Sequence, residues 1–176
     1  MGTGLIIVIV LAVLIVPIIG ILAVLSIYGT RKYISNAKAA EAKNSLSQIG
    51  QDAISAYERE DMLAPADGTV KRRICPSASA RVPADRTAVS GKKYQSTTSE
   101  WEVDRGANVG FSCLKFEMSS PQYFQYEYNA TPTGFTARAF GDLNGNGIFS
   151  TFELKGELVG NRLVTSPTIL EIDPQE

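Results

Sequence analysis

The sequence predicts an α+β fold: a long N-terminal helix, apolar in its first half and amphipathic in its second, packed on a C-terminal antiparallel β-meander. Three observations carry this prediction. An uncharged run fills residues 5–28. An apolar stripe at spacings of three and four continues to Tyr57. Past residue 113 the hydrophobic period changes to two.

The first run reads LIIVIVLAVLIVPIIGILAVLSIY, and only Ser26 and Tyr28 offer a polar side-chain atom. At about 1.5 Å per residue a helix of that length spans roughly 36 Å, enough for a bilayer core of ~30 Å. A secretory signal fits poorly, because its apolar region is shorter and follows basic residues, which MGTG lacks. Residues 1–28 are therefore expected to form a retained transmembrane or assembly helix. The remainder, 29–176, is long enough for one ordinary domain. From Thr30 to Glu60 there is no proline and only Gly50. Ala42, Leu46, Ile49, Ala53 and Tyr57 form one stripe, while Lys38, Glu41, Lys43, Gln51, Asp52 and Glu58 fall largely on other faces. The amphipathic helix is assigned to 29–60. Its stripe must pack on a folded domain, whereas the first half must be solvated by lipid or by copies of itself.

Residues 61–110 read as an irregular connection: APADG, CPSASARVPAD and SGKKYQSTTSE are rich in Pro, Gly, Ser, Thr and charge. Trp101 in SEWEV reads as core or rim packing, with an anchoring role as the alternative. The two cysteines, Cys75 and Cys113, are too far apart for a CxxC redox or metal motif. Two readings stand: a structural disulfide in an oxidising compartment, or two free buried thiols in a cytoplasmic domain. A bridge would close a loop of roughly 38 residues and contribute ~4 kcal/mol at most.

Several function classes are disfavoured. The chain has no histidine, which removes Ser-His and Cys-His activation and His-containing zinc sites. No nucleophile–base pair, phosphate loop or carboxylate dyad stands out, so an enzyme is not expected. Net charge is −1, so no nucleic-acid footprint is expected. Arg31-Lys32 and Lys71-Arg72-Arg73 are small clusters that read as solvated faces or headgroup contacts.

Residues 111–176 are assigned to the antiparallel sheet. Leu114, Phe116 and Met118 alternate with Lys115 and Glu117, which places Cys113 at the start of a strand. Phe124, Tyr126 and Tyr128 alternate next, followed by Phe135, Ala137 and Ala139, then Phe152, Leu154 and Leu158, with a last short strand at Leu163–Thr165. The turn signals SSPQ, NATPTG, DLNGNG and VGNR separate these runs. One face is apolar and the other wet, so the helix supplies cover for the apolar face.

Asp142 to Glu153 satisfies the calcium-loop pattern D-x-[DN]-x-[DN]-G-x5-E. Asp142, Asn144, Asn146, the Ile148 carbonyl and a bidentate Glu153 would supply the oxygens a hard cation needs, with Gly147 at the sharp turn. The flanks, however, are strands rather than the helices of an EF-hand. The competing reading is a polar hairpin loop in which Asn-Gly supplies positive φ. Calcium is the one possible cofactor. Asn129-Ala-Thr131 is a glycosylation sequon by pattern and reads as a chance triplet.

The run IVPIIGILAVLSIY, followed by a short charged stretch and AKAAEAKNSL, resembles the N-terminal segment of type IV pilins and pseudopilins. PQYFQYEYNATPTGFTARAFGDLNGNGIFSTFELKGEL resembles pilin-like proteins of the myxobacterial group, where a GDLxGxG turn separates sheet strands. The resemblance implies a structural subunit of a type IV pilus-like or pseudopilus filament. It would sit in the inner membrane with its domain outside the cytoplasm. It would then assemble through its helix with copies of itself or other pilin-like subunits, in a cell-surface filament or periplasmic pseudopilus. Pro17, Gly20 and Gly29 would ease the local unwinding that pilin helices undergo on assembly.

One departure stands out. Counting back from Gly20, the family's cleavage-site glycine falls at Ile6 and its helix-start glutamate at Leu11. Three readings stand open: a start site placed elsewhere, a subunit of the filament tip, or a helix that packs by shape alone. The positive-inside rule also opposes the expected orientation, since Arg31, Lys32, Lys38 and Lys43 follow the apolar run. The alternative function is a membrane-tethered periplasmic binding module with a pilin-like domain that never polymerises.

Overall fold

The computed structural model of the chain describes residues 2–59, 72–174 and 176. Helix α1 runs from Thr3 to Glu58. Five strands follow: β1 (Gln125–Thr131), β2 (Gly134–Gly141), β3 (Ser150–Val159), β4 (Arg162–Thr165) and β5 (Leu170–Ile172). The fold is therefore α+β, as the sequence predicts. The chain divides into two compact units, Met1–Ala37 and Lys38–Glu176. The division falls inside α1, just before Ala39, where the buried stripe of the helix begins.

Within Lys38–Glu176, the helix stripe is the one the sequence shows. Ala42, Leu46, Ile49, Ala53 and Tyr57 are all buried, and Ala39 extends the stripe by a turn. Each large side chain so placed contributes about 1.5–3 kcal/mol of burial. Gly50 sets how close the helix lies to the sheet: a Cβ there would stand 2.8 Å from Leu154 Cδ2 and 3.1 Å from Thr165 Cγ2.

The sheet is an antiparallel meander in the order β1-β2-β3-β4, with β5 also pairing β3. β3 is its longest strand. It pairs β2 over 150–157, β4 over 156–159 and β5 over 151–153. Phe152 and Leu154 are buried, while Thr151, Glu153 and Glu157 alternate with the buried positions. Strand β5 was not foreseen: Thr168, Glu171 and Asp173 interrupt the apolar residues, although Ser166-Pro167 marks a turn before it.

The expected strand through Leu114, Phe116 and Met118 is not one. Cys113 and Leu114 end a short helix, α3 (Gly110–Leu114), which is capped by Lys115 at φ 64°. Irregular chain then leads to β1. Phe111 and Phe116 both pack edge-on against Trp101, with ring centroids 5.0 and 5.4 Å away. The alternation at 114–118 reports burial without strand pairing. Trp101 itself is buried in the core, and its indole N–H donates to Ser96 Oγ at 2.9 Å.

Of the predicted connection 61–110, residues 61–71 lie outside the described residues. The rest is ordered by the sheet and holds a short helix, α2 (Thr98–Trp101), and a 3-10 turn at Arg86–Val89. Ala78 N–H donates to Tyr128 O, and Val82 exchanges two backbone bonds with Tyr126, so this segment lines the outer edge of β1. Buried Gln122 donates to the carbonyls of Val82 and Phe124, and buried Gln125 to those of Pro83 and Ala84.

Glu41 is a carboxylate on the helix that faces the sheet unit and accepts Tyr123 N–H at 2.6 Å. Burial pushes its pKa above the usual carboxylate range, against the downward pull of that N–H and of Lys93. The unfolded chain therefore releases this proton at lower pH than the folded one. The contribution of Glu41 is full below about pH 4 and is lost as pH rises through the folded pKa. Glu41→Gln keeps an oxygen for Tyr123 and has no charge to bury. Its melting temperature should match that of the unsubstituted chain at pH 4 and exceed it at pH 7. An equal difference at both pH values, measured by thermal denaturation, would contradict this account.

Candidate functional site

The candidate assembly surface is the unit Met1–Ala37. The described large apolar side chains from Val10 to Tyr28 are between 48% and 67% exposed. The helix is long and apolar enough to cross a membrane. Pro17 lies inside it and leaves the Val13 carbonyl without its N–H donor. Gly20 and Gly29 have open space where a Cβ would stand. All three predicted assembly positions thus lie in a helical stretch with an exposed surface. Leu11, where the resemblance would place a glutamate, is a half-exposed apolar side chain.

The cysteines are joined: Cys75 and Cys113 form a disulfide with Cα atoms 5.8 Å apart. The bridge ties the segment beside β1 to α3. Neighbouring bonds reinforce it, since Gly110 N–H donates to Pro76 O and the Tyr128 hydroxyl to Cys75 O. Arg59, just past the end of α1, donates to Cys113 O at 2.8 Å. The disulfide reading replaces the free-thiol alternative.

The structure separates the proposed calcium ligands. Asp142, Asn144, Asn146 and Ile148 share one loop between β2 and β3, and Glu153 does not join them. In register Glu153 lies opposite Arg138, whereas Ser150, at the loop's end, lies opposite Gly141. Three residues of strand carry Glu153 about 10 Å along β3. Its carboxylate pairs with Arg138 Nε at 2.6 Å and Lys155 Nζ at 3.3 Å. Arg138 also reaches Glu127 on β1, whose other partner is Arg81 at 2.7 Å. An alternating charge ladder thus crosses β1, β2 and β3. Burial opposes ionisation of Glu127 and Glu153, but these cations outweigh it and hold both below the usual range.

Asp142 is buried and plays a local part. Its carboxylate accepts backbone N–H from Gly145 and Asn146 at Oδ1 and from Gly147 at Oδ2. Burial would raise its pKa, but these donors and the Ser90 hydroxyl bring it below the usual range. Asn144 Oδ1 accepts Asn146 N–H, and Asn146 Oδ1 accepts Ile148 N–H. Among the described residues no cluster of three or more His, Cys, Asp or Glu is placed to hold a metal ion. The loop's own hydrogen bonds are those of the polar-turn reading. Calcium up to millimolar concentration should leave the melting temperature unchanged. Asp142→Ala should cost about 2 kcal/mol, because a charged acceptor of three N–H groups is lost. A calcium-dependent rise in melting temperature would overturn this reading.

Sequence reasoning missed two features. The Glu127–Arg138–Glu153 ladder was present in the alternation, since the polar residues of three facing strands carry opposite signs. Glu176 Oε2 accepts both Asn144 Nδ2 and Asn146 Nδ2 at 2.7 Å, a contact no local pattern announces. The sequon residue Asn129 lies within β1, opposite Thr136, rather than on a loop. Searched against known families, curated proteins and solved structures, the chain matches none. What stands is the architecture itself: a long, N-terminally apolar helix and an antiparallel sheet, in a pilin-like arrangement.

Proposed function

We propose that the chain is a structural subunit of a type IV pilus-like or pseudopilus filament. It rests in a membrane before assembly and polymerises through its apolar helix with copies of itself or related subunits. The exposure of every described large apolar side chain from Val10 to Tyr28 is the observation that supports this most. Such a surface is satisfied by lipid or by like helices, because a helix pairs its own backbone groups. The Cys75–Cys113 bridge fits an oxidising compartment, with the globular unit outside the cytoplasm and the filament at the cell surface or in the periplasm.

Electron microscopy of sheared surface fibres, with N-terminal sequencing of their subunit, tests this reading. Fibres containing this chain are the expected result. A chain found only in the membrane fraction, with no fibres, would count against it. A second reading, a tethered binding module, draws on a groove of about 670 Å³ beside β3, lined among others by Glu157, Val164 and Leu170. That volume lies within the range of small-molecule sites. The same fibre experiment separates the two.

A further inference from the structure

The loop between β2 and β3 holds the chain's two Asn-Gly pairs, Asn144-Gly145 and Asn146-Gly147. The other asparagines, Asn36, Asn44, Asn108, Asn129 and Asn161, precede other residues. Asn144 and Asn146 are both exposed, and Gly145 and Gly147 have φ of 77° and 88°. We infer that this loop is a site of spontaneous covalent modification, in which Asn146, and more slowly Asn144, loses its side-chain amide.

The chemistry needs only water. The backbone nitrogen of Gly147 gives up its proton and attacks Asn146 Cγ. An N–Cγ bond forms, the Cγ–Nδ2 bond breaks, and Nδ2 leaves as ammonia carrying a proton. The product is a five-membered cyclic imide. Water then opens it at either carbonyl, leaving an aspartyl or an isoaspartyl linkage at position 146. Nothing is oxidised or reduced. Glycine suits the attack, because no Cβ hinders the approach and the backbone is free to turn.

The loop's hydrogen bonds act on this reaction in two ways. Asn146 Oδ1 accepts Ile148 N–H at 2.7 Å, and Asn144 Oδ1 accepts Asn146 N–H at 2.9 Å. Charge developing on either oxygen during attack therefore meets a donor already in place. Asp142 is the brake. A nitrogen whose N–H is held by a carboxylate resists losing its proton. The brake is tighter on Gly145, held at 2.7 Å, than on Gly147, held at 3.0 Å. A Cβ on Gly145 would touch the Gly91 backbone at 3.4 Å, whereas one on Gly147 meets nothing within 4 Å. The Gly147 side is therefore freer to reach the attacking geometry, and Asn146 reacts first.

Conversion has a structural consequence. A carboxylate at position 146 removes one of the two amide donors held by Glu176 and sets like charges against each other. The contact between Glu176 and the loop then opens, and a more acidic form of the protein accumulates.

The test is to incubate the full-length chain in detergent micelles at 37 °C, at pH 7 and pH 9. Peptide mapping then follows the gain of about 1 Da as an amide becomes a carboxylate, with isoaspartyl forms resolved chromatographically. Conversion should begin at Asn146, follow at Asn144, and quicken roughly tenfold per pH unit, as the deprotonated fraction does. A synthetic peptide spanning residues 143–149, which lacks Asp142 and the folded loop, should convert faster at both positions. Asp142→Asn in the full chain should raise both rates several-fold. Asn144 converting first, equal rates at the two positions, or conversion at Asn146 no faster than at Asn108 would each overturn the proposal. The wild-type order decides the matter even if the Asp142 variant loses its loop structure.

Discussion

Deleting residues 5–28 should turn a detergent-requiring protein into a soluble, folded monomer. The deleted run carries no charge, and its apolar side chains from Val10 onward are exposed. Summed over the run, the transfer of these side chains into a bilayer is favourable by roughly 10 kcal/mol. Removing it abolishes both membrane anchorage and the surface proposed for assembly. The fold should survive, because among the described residues the buried hydrophobic core runs from Ala39 to Leu163. Circular dichroism and sedimentation would read the two halves of the expectation separately. A fragment that is folded but still filamentous would show that assembly resides elsewhere. A fragment that fails to fold would show that the apolar helix also supports the sheet.

Gly156→Val should destabilise the globular unit by about 3 kcal/mol, the upper end for overpacking a tight core. Gly156 lies opposite Phe135 in the β2–β3 register. A Cβ on Gly156 would overlap the edge of the Phe135 ring, too close to Cε1, Cζ and Cδ1 for van der Waals contact. That ring is held in turn against Tyr128, with centroids 5.5 Å apart, so it has little room to retreat. A loss of that size corresponds to roughly 10 °C in melting temperature for a unit of this length. Gly106→Ala is the matched control, since a Cβ there meets nothing within 4 Å, and it should leave the melting temperature unchanged. If Gly156→Val melted like the unsubstituted chain, the packing of Phe135 over β3 would be wrong.

The long-period features were legible in the sequence. The buried stripe from Ala42 to Tyr57 and the buried alternation along β1, β2 and β3 follow from hydrophobic spacing, because a core face selects every third or fourth residue of a helix and every second of a strand. Period two was misleading at Leu114, Phe116 and Met118. There the apolar residues pack around Trp101, and a helix bound through Cys113 takes the place of a strand. The calcium pattern shows a related effect of strand geometry. A twelve-residue motif specifies spacing along the chain, and a β-strand stretches that spacing until Glu153 meets Arg138 instead of Asp142. The cysteine bridge was legible as a choice between two states, and the fold decided it. The contact of Glu176 with Asn144 and Asn146 joins residues remote in the sequence, so no window along the chain contains it.

The segment laid along β1 has a consequence for how such molecules live together. By bonding to Tyr126 and Tyr128, residues 78–82 occupy backbone groups that would otherwise invite a foreign strand. On the opposite flank, β4 and β5 offer only four and three residues, set end to end against β3. Among the described residues neither border presents a long, flat ribbon of free amides, which is what sheet-to-sheet aggregation requires. If molecules crowd in a bilayer or stack in a fibre, as the proposed function requires, they can touch without fusing their sheets. Under the proposed function, self-association would be left to the helix, and the sheets would stay private to each molecule.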